Sequence, residues 1–359
     1  MPIRSEAKHS ALTQVSDTAT GTQRGSLGLV DNNASDAKEN PDALCHGRNF
    51  LERLIQHRHL SMNDGLASLA KAIGRGSAIL FVGAGVSISV GLPSWEKLIE
   101  QMAKELGIDD EFSTRRDRFQ TLAEYYRIRH GSIGPLRSWM DRNWSVAKDR
   151  IEKSELHRLI VMLNFPIIYT TNYDRNLELA FEIYGRRYVK VANARDVAQA
   201  RQGVTHIIKF HGDFDEDSSL VLTETDYLDR LSFNSPLDVR FRSDALGSTI
   251  LFIGYSLSDP NIRLLLHRLW QTWHRSGYEK DRPPSFIFMT SRNPVEEAVL
   301  GSWGISAVVG ELDDPQAALV NFLSQLAEAV EHEPKFGAAE PGGTMPAGRT
   351  DGTSCLEGS

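Results

Sequence analysis

Cysteine is almost missing from this chain: 359 residues contain two, Cys45 and Cys355. Two thiols near opposite ends supply neither a disulfide framework nor a C-x-x-C pair, which excludes a cysteine-built zinc site. Long hydrophobic runs are lacking too. No stretch approaches the ~18 apolar residues of a membrane span, and the opening MPIRSEAKHS has no apolar signal segment, so a cytoplasmic location without membrane contact is expected. Positive charge is not in excess: the formal net charge of −7 argues against direct nucleic-acid binding. Residues 1–45 hold no aromatic residue and are rich in Ser, Thr, Asn, Asp and Ala. They cannot bury enough apolar area to offset the entropy of ordering, and a disordered extension is predicted there. A flexible tail is predicted over residues 334–359, where Gly, Pro, Ser and Thr dominate.

What remains, residues 46–333, alternates apolar strands with amphipathic helices. The strands expected are Ile79–Val82, Pro166–Thr170, Tyr188–Val191, His206–Phe210, Leu220–Leu222, Thr249–Ile253, Ser285–Thr290 and Ile305–Val309. Helices are expected at 47–57, 63–74, Asp174–Tyr184, Ser258–Ser276 and Pro315–Val330, with a helical insertion over about 94–164. Near-continuous apolar strands separated by helices predict an α/β fold with a doubly wound parallel sheet. Ligands of such sheets bind beyond the C-terminal strand ends, at the switch point in strand order. The residues just after each strand are therefore the ones to read.

After the first strand comes GAGVS, residues 83–87. Gly83 and Gly85 allow a tight turn and a close backbone approach to a diphosphate. The G-x-G-x-x-G dehydrogenase fingerprint fails, because Ile88 occupies the third glycine position and helical spacing follows instead of a second strand. The other strand ends are TTNYD (Thr170–Asp174), HGD (His211–Asp213) and GYSLSD (Gly254–Asp259).

In this order, GAGVS followed by GLPSW, TTNYD, KFHGD and GYS resemble the motif set of the sirtuin-type NAD-binding family. The resemblance runs from about Ala78 to Asp259, and more loosely to Val309. It implies a Rossmann-like sheet in which Gly83, Ala84, Gly85 and Ser87 contact the diphosphate. Pro93 and Trp95 would belong to the loop that closes over nicotinamide, while Asn172 and Asp174, with Thr171 beside them, would face the nicotinamide ribose. His211 would act near the ribose hydroxyls, and Gly254, Tyr255 and Ser256 would hold the far side of the dinucleotide. Departures from the family are equally informative. Deacylating members insert a four-cysteine zinc module shortly after His-Gly; here SSLVLTE follows within ten residues, so neither the module nor a metal is expected. Glu96 follows Pro93–Trp95 where an arginine is usual, and Tyr173 replaces an aliphatic residue. Together these changes resemble the zinc-free, bacterial defence-associated branch, whose members hydrolyse NAD during phage infection.

Cleavage of the nicotinamide–ribose bond passes through an oxocarbenium-like state, which calls for positioning and modest electrostatics more than for a strong nucleophile. Asn172 can present donor and acceptor without charge, or can serve as a turn residue. Asp174 can orient a water, stabilise positive charge or cap the following helix. His211, with an ordinary pKa of ~6.5, can act as a base. Trp95 can stack on nicotinamide or belong to the core, His157 supports the site or the core, and Asp259 is expected to cap the helix after it.

The resemblance implies an NAD⁺ glycohydrolase that uses NAD as substrate, releases nicotinamide and ADP-ribose, and acts as an antiphage abortive-infection effector. It further implies restraint by a HerA-type ATPase, a short Argonaute-type sensor or homo-oligomer assembly. Two alternatives stand beside it: a non-hydrolytic NAD or ADP-ribose sensor, and an NAD-dependent protein deacylase.

Overall fold

A computed structural model describes residues 62–108, 119–200, 203–255, 259–310 and 312–333. The expected N-terminal extension, the helix at 47–57 and the tail lie outside the described residues.

Seven parallel strands form one sheet: β1 (Ala78–Val82), β2 (Ile167–Thr170), β3 (Tyr188–Val191), β4 (Thr205–Lys209), β5 (Thr249–Ile253), β6 (Ser285–Met289) and β7 (Ile305–Val309). Their order is β3-β4-β2-β1-β5-β6-β7. The chain leaves β1 towards β2, β3 and β4, then returns to place β5 on the other side of β1. This is the α/β, doubly wound, Rossmann-like arrangement, with its switch point between β1 and β5. Register is continuous across the centre, Ile79 facing both Ile167 and Ile250.

Strand alternation sends side chains into two cores. Leu80, Val82, Ile168, Leu251 and Phe286 pack on one face; Ile79, Phe81, Tyr169, Ile250 and Phe252 pack on the other. The first face is covered by helices α1 (Met62–Gly74), α2 (Ala84–Ile88), α3 (Trp95–Leu106), α4 (Phe119–His130), α5 (Gly134–Asn143), α6 (Lys148–Glu152), α7 (Glu155–Met162) and α8 (Asn176–Ile183), together with the final helix. After α9 (Ala194–Gln199) and α10 (Glu224–Arg230), the second face is covered by α11 (Pro236–Leu246), α12 (Pro260–Ser276) and α13 (Pro294–Ser302); α14 (Pro315–Glu331) closes the described chain. The expected helical insertion thus comprises α3 to α7, between β1 and β2.

One expected strand is not a strand. Leu220–Leu222 is extended and buried but belongs to no ladder. Its backbone serves the site instead: the Val221 amide donates to the His211 carbonyl at 3.0 Å, and the Val221 carbonyl accepts from the Tyr173 hydroxyl at 2.7 Å.

Candidate active site

The turns after β1 and β5 interlock at the switch point. The Gly83 amide donates to the Ile253 carbonyl and the Gly85 amide to the Gly254 carbonyl, both at 2.9 Å. Gly254 has φ +60°, and a Cβ there would stand 2.8 Å from the Val86 nitrogen. A Cβ on Gly83 would collide with Tyr255 and the Gly254 carbonyl. These glycines are required first by the contact between two turns. That role was not legible in GAGVS, which suggests a tight turn and approach to a phosphate.

Beneath the turns lies an aromatic floor. Phe81 meets Tyr169, Phe241, Phe252 and Tyr255 at ring-centroid distances of 5.8, 5.6, 5.2 and 5.7 Å. Such packing leaves the strand ends little freedom to shift.

Three expected residues join in one hydrogen-bonded chain. The Asn172 amide donates from Nδ2 to the Gly83 carbonyl (3.0 Å) and to Ser87 Oγ (3.1 Å). The Ser87 hydroxyl donates to Asp174 Oδ2 at 2.8 Å. With both amide hydrogens committed, the Asn172 side-chain oxygen is the atom left to accept from a ligand. Asp174 Oδ1 accepts from the Asn176 amide at 3.0 Å, a local turn bond leading into α8, and its backbone carbonyl accepts from Lys209 Nζ. Ala84, Ser87, Pro93, Trp95, Asn172 and Asp174 all border one narrow cleft of about 20 Å³. Trp95 also belongs to a core cluster, with Phe119 at 4.8 Å and Trp144 at 5.6 Å, which is the core role expected of it.

His211 is buried, 2% exposed, with Nε2 3.4 Å from Asp259 Oδ2. Burial pushes its pKa down to about 4, against the opposing pull of the Asp259 carboxylate. The ring is neutral at pH 7, a weaker base than an exposed histidine. Asp259 caps α12 through Oδ1, which accepts from the Asn261 and Ile262 amides, while Oδ2 faces His211 and the Tyr227 hydroxyl. Sequence shows the cap; only the fold shows the second contact. Tyr255 and Tyr173 are both pushed well above the ordinary phenol value, chiefly by burial and then by Asp259. Thr171 is buried. Ser256 lies outside the described residues.

His157 sits close enough to Asp174 for that carboxylate to raise its pKa, although burial dominates and lowers it to about 4. Its Nδ1 pairs with Ser154 Oγ at 2.8 Å, and its Nε2 is buried without a partner.

A larger cavity of about 620 Å³ opens from Gly85, Gly254 and Tyr255 towards Thr290, Ser291, Asn293, Glu296 and Asp314. Its size suits a nucleotide. The residues after β6 and β7 were not singled out from sequence, although TSRN and ELDD are polar strand ends of the same kind as the four that were. Among the described residues no cluster of His, Cys, Asp and Glu could hold a metal, and no helix is long and apolar enough to cross a membrane.

Comparison with known proteins agrees with this geometry. Residues 166–308 match the SIR2-like domain model. The NAD(+) hydrolase ThsA of Enterococcus faecium is 36% identical over 202 residues, covering 55% of this chain and 41% of that protein. The NAD(+) hydrolase ThsA of Bacillus cereus is 30% identical over 219 residues, 60% of this chain and 44% of that one. Defense-associated sirtuin 2 of Bacillus subtilis is 29% identical over 234 residues, 63% of this chain and 22% of that one. The chain spans less than half the length of these curated relatives. With its switch-point cavity and its strand-end motifs, the chain is similar to the SIR2-like domain that its residues 166–308 match.

Proposed function

We propose that this chain is an NAD⁺ glycohydrolase that releases nicotinamide and ADP-ribose. The observation that carries the reading is a nucleotide-sized cavity at the interlocked glycine turns beside a narrow cleft that shares its Ile88 wall and is bordered by the hydrogen-bonded chain of Asn172, Ser87 and Asp174. The names of the similar proteins support the same reaction. The large cavity would hold the adenosine end, and Gly83, Ala84, Gly85 and Gly254 would border the diphosphate. The Asn172 oxygen would accept from a ribose hydroxyl. Asp174 would offset positive charge as the glycosidic bond opens. His211, neutral and backed by Asp259, would take a proton from a hydroxyl or water.

Such an enzyme would destroy a cofactor its own cell requires, so the reading includes restraint and a role as an antiphage effector, controlled by an ATPase, an Argonaute-type sensor or self-assembly. The cleft beside Asn172 supports restraint: at about 20 Å³ it has room for roughly one water, so nicotinamide could enter only after Trp95 or its neighbours moved. The test is to incubate purified protein with NAD⁺ and follow nicotinamide and ADP-ribose by chromatography beside His211→Ala. Equimolar products from the wild type and their loss in the variant are expected. A wild-type rate in His211→Ala would overturn the assignment of that residue.

A further inference from the structure

Two opposite charges are sealed in the core beneath the candidate site. Lys209, the last residue of β4, and Glu178, in the first turn of α8, have side chains 1% exposed, with Nζ 3.4 Å from Oε1. A buried ion pair stabilises a fold only when close geometry and further hydrogen bonds offset desolvation, and well-packed apolar residues often serve as well or better. This pair is loose, and neither Glu178 oxygen has a hydrogen-bond partner. Fold stability alone therefore gives little reason for a lysine at this position.

The ammonium does something that an apolar side chain could not. It donates a hydrogen bond to the backbone carbonyl of Asp174. Asp174 in turn receives Ser87, and Ser87 receives Asn172. Lys209 also lies two residues before His211 on the same strand end. The contacts therefore run from Glu178 through Lys209 to Asp174, Ser87 and Asn172, joining the strand that carries His211 to the two loops that carry the rest of the site.

We infer that Lys209 is a positioning residue for NAD cleavage. It fixes the Asp174 peptide, and through it the carboxylate and Asn172, while Glu178 serves to make a buried ammonium tolerable. The inference rests on the glycohydrolase reading above. Lys209→Met alone would strand the Glu178 charge and could unfold the protein for that reason. The informative variant is K209M/E178M, which removes both charges and keeps the volume.

A purely structural pair predicts that this double variant recovers activity along with its fold; a positioning lysine predicts that it does not. The full chain is assayed for melting temperature, kcat and KM towards NAD⁺. We expect melting at or above the wild-type temperature, KM within about threefold and kcat lower by about 30- to 100-fold, the scale of a misplaced reacting group. An unfolded double variant, or a folded one with kcat within about threefold of wild type, overturns the inference. A wild type that releases no nicotinamide overturns the glycohydrolase reading, and this inference falls with it.

Discussion

Gly254→Ala probes the contact on which the site is built. Gly254 holds φ +60°, and its missing Cβ would lie 2.8 Å from the Val86 nitrogen, 2.9 Å from Val86 Cγ2 and 3.2 Å from the Gly83 carbonyl oxygen. Two penalties follow. A left-handed alanine costs about 1–2 kcal/mol, and overpacking against a fixed neighbour adds about 1–3 kcal/mol. Gly277 supplies an internal control, because it has φ +77° with nothing within 4 Å of a Cβ. Gly277→Ala carries the backbone penalty alone, about 1 kcal/mol after the entropy removed from the unfolded chain. The difference between the variants isolates the steric contact. At ~2–4 °C per kcal/mol for a domain of this size, Gly254→Ala should melt about 2–12 °C below Gly277→Ala. It should also lose NAD turnover, since spreading the turns displaces Gly83 from Asn172, while Gly277→Ala keeps it. Scanning calorimetry and nicotinamide release read both effects. Equal melting temperatures for the two variants would refute the interlocked-turn account.

Two further outcomes follow from the same geometry. His211 and His157 are both held near pKa 4 by burial, against an ordinary 6.5 when unfolded. Between those values the unfolded chain binds more protons, so stability is complete above about pH 6.5 and falls as the pH drops towards 4. Each ring accounts for about 2 kcal/mol of loss between about pH 7 and 5, so urea unfolding of His211→Gln should show that loss reduced by about this amount. An undiminished loss would mean that His211 is not buried neutral. The charged residues lining the large cavity, among those described, are Glu296 and Asp314; Glu296 pairs with Arg263 at 2.5 Å, which leaves Asp314 to set the local sign. A 2′-phosphate there meets like charge, so kcat/KM for NADP⁺ should be about tenfold or more below that for NAD⁺, and Asp314→Asn should narrow the gap. Equal use of both dinucleotides by the wild type would count against this placement of the adenosine ribose.

The central strands were legible because burial on both faces leaves an unbroken apolar run, as in Ala78–Val82 and Thr249–Ile253. The same signal misleads at Leu220–Leu222, where apolar side chains are buried beside the site but the backbone bonds to His211 and Tyr173 instead of a neighbouring strand. Helices α11 and α13 were not among those expected, because they lack clear apolar spacing; their signal is capping, through Ser235-Pro236 and Asn293-Pro294. In the site, Ser87, Asn172 and Asp174 stand out as polar residues after strand ends, whereas the hydrogen bonds that join them are visible only in the fold. Asp259 looked like a cap because its second oxygen meets a residue 48 positions away, His211, only in the fold. Lys209 and Glu178 carry no local signal, since a buried pair is visible only once β4 packs beside α8.

Asn172 stands where the glycine turn, Ser87 and the carboxylate of Asp174 meet, so its truncation tests the account most directly. Purified Asn172→Ala and wild type are incubated with NAD⁺, nicotinamide release is timed, and melting temperatures are compared. The account predicts steady release by the wild type and a loss of about 100-fold or more in the variant, with melting within a few degrees. Release by Asn172→Ala at the wild-type rate would contradict it.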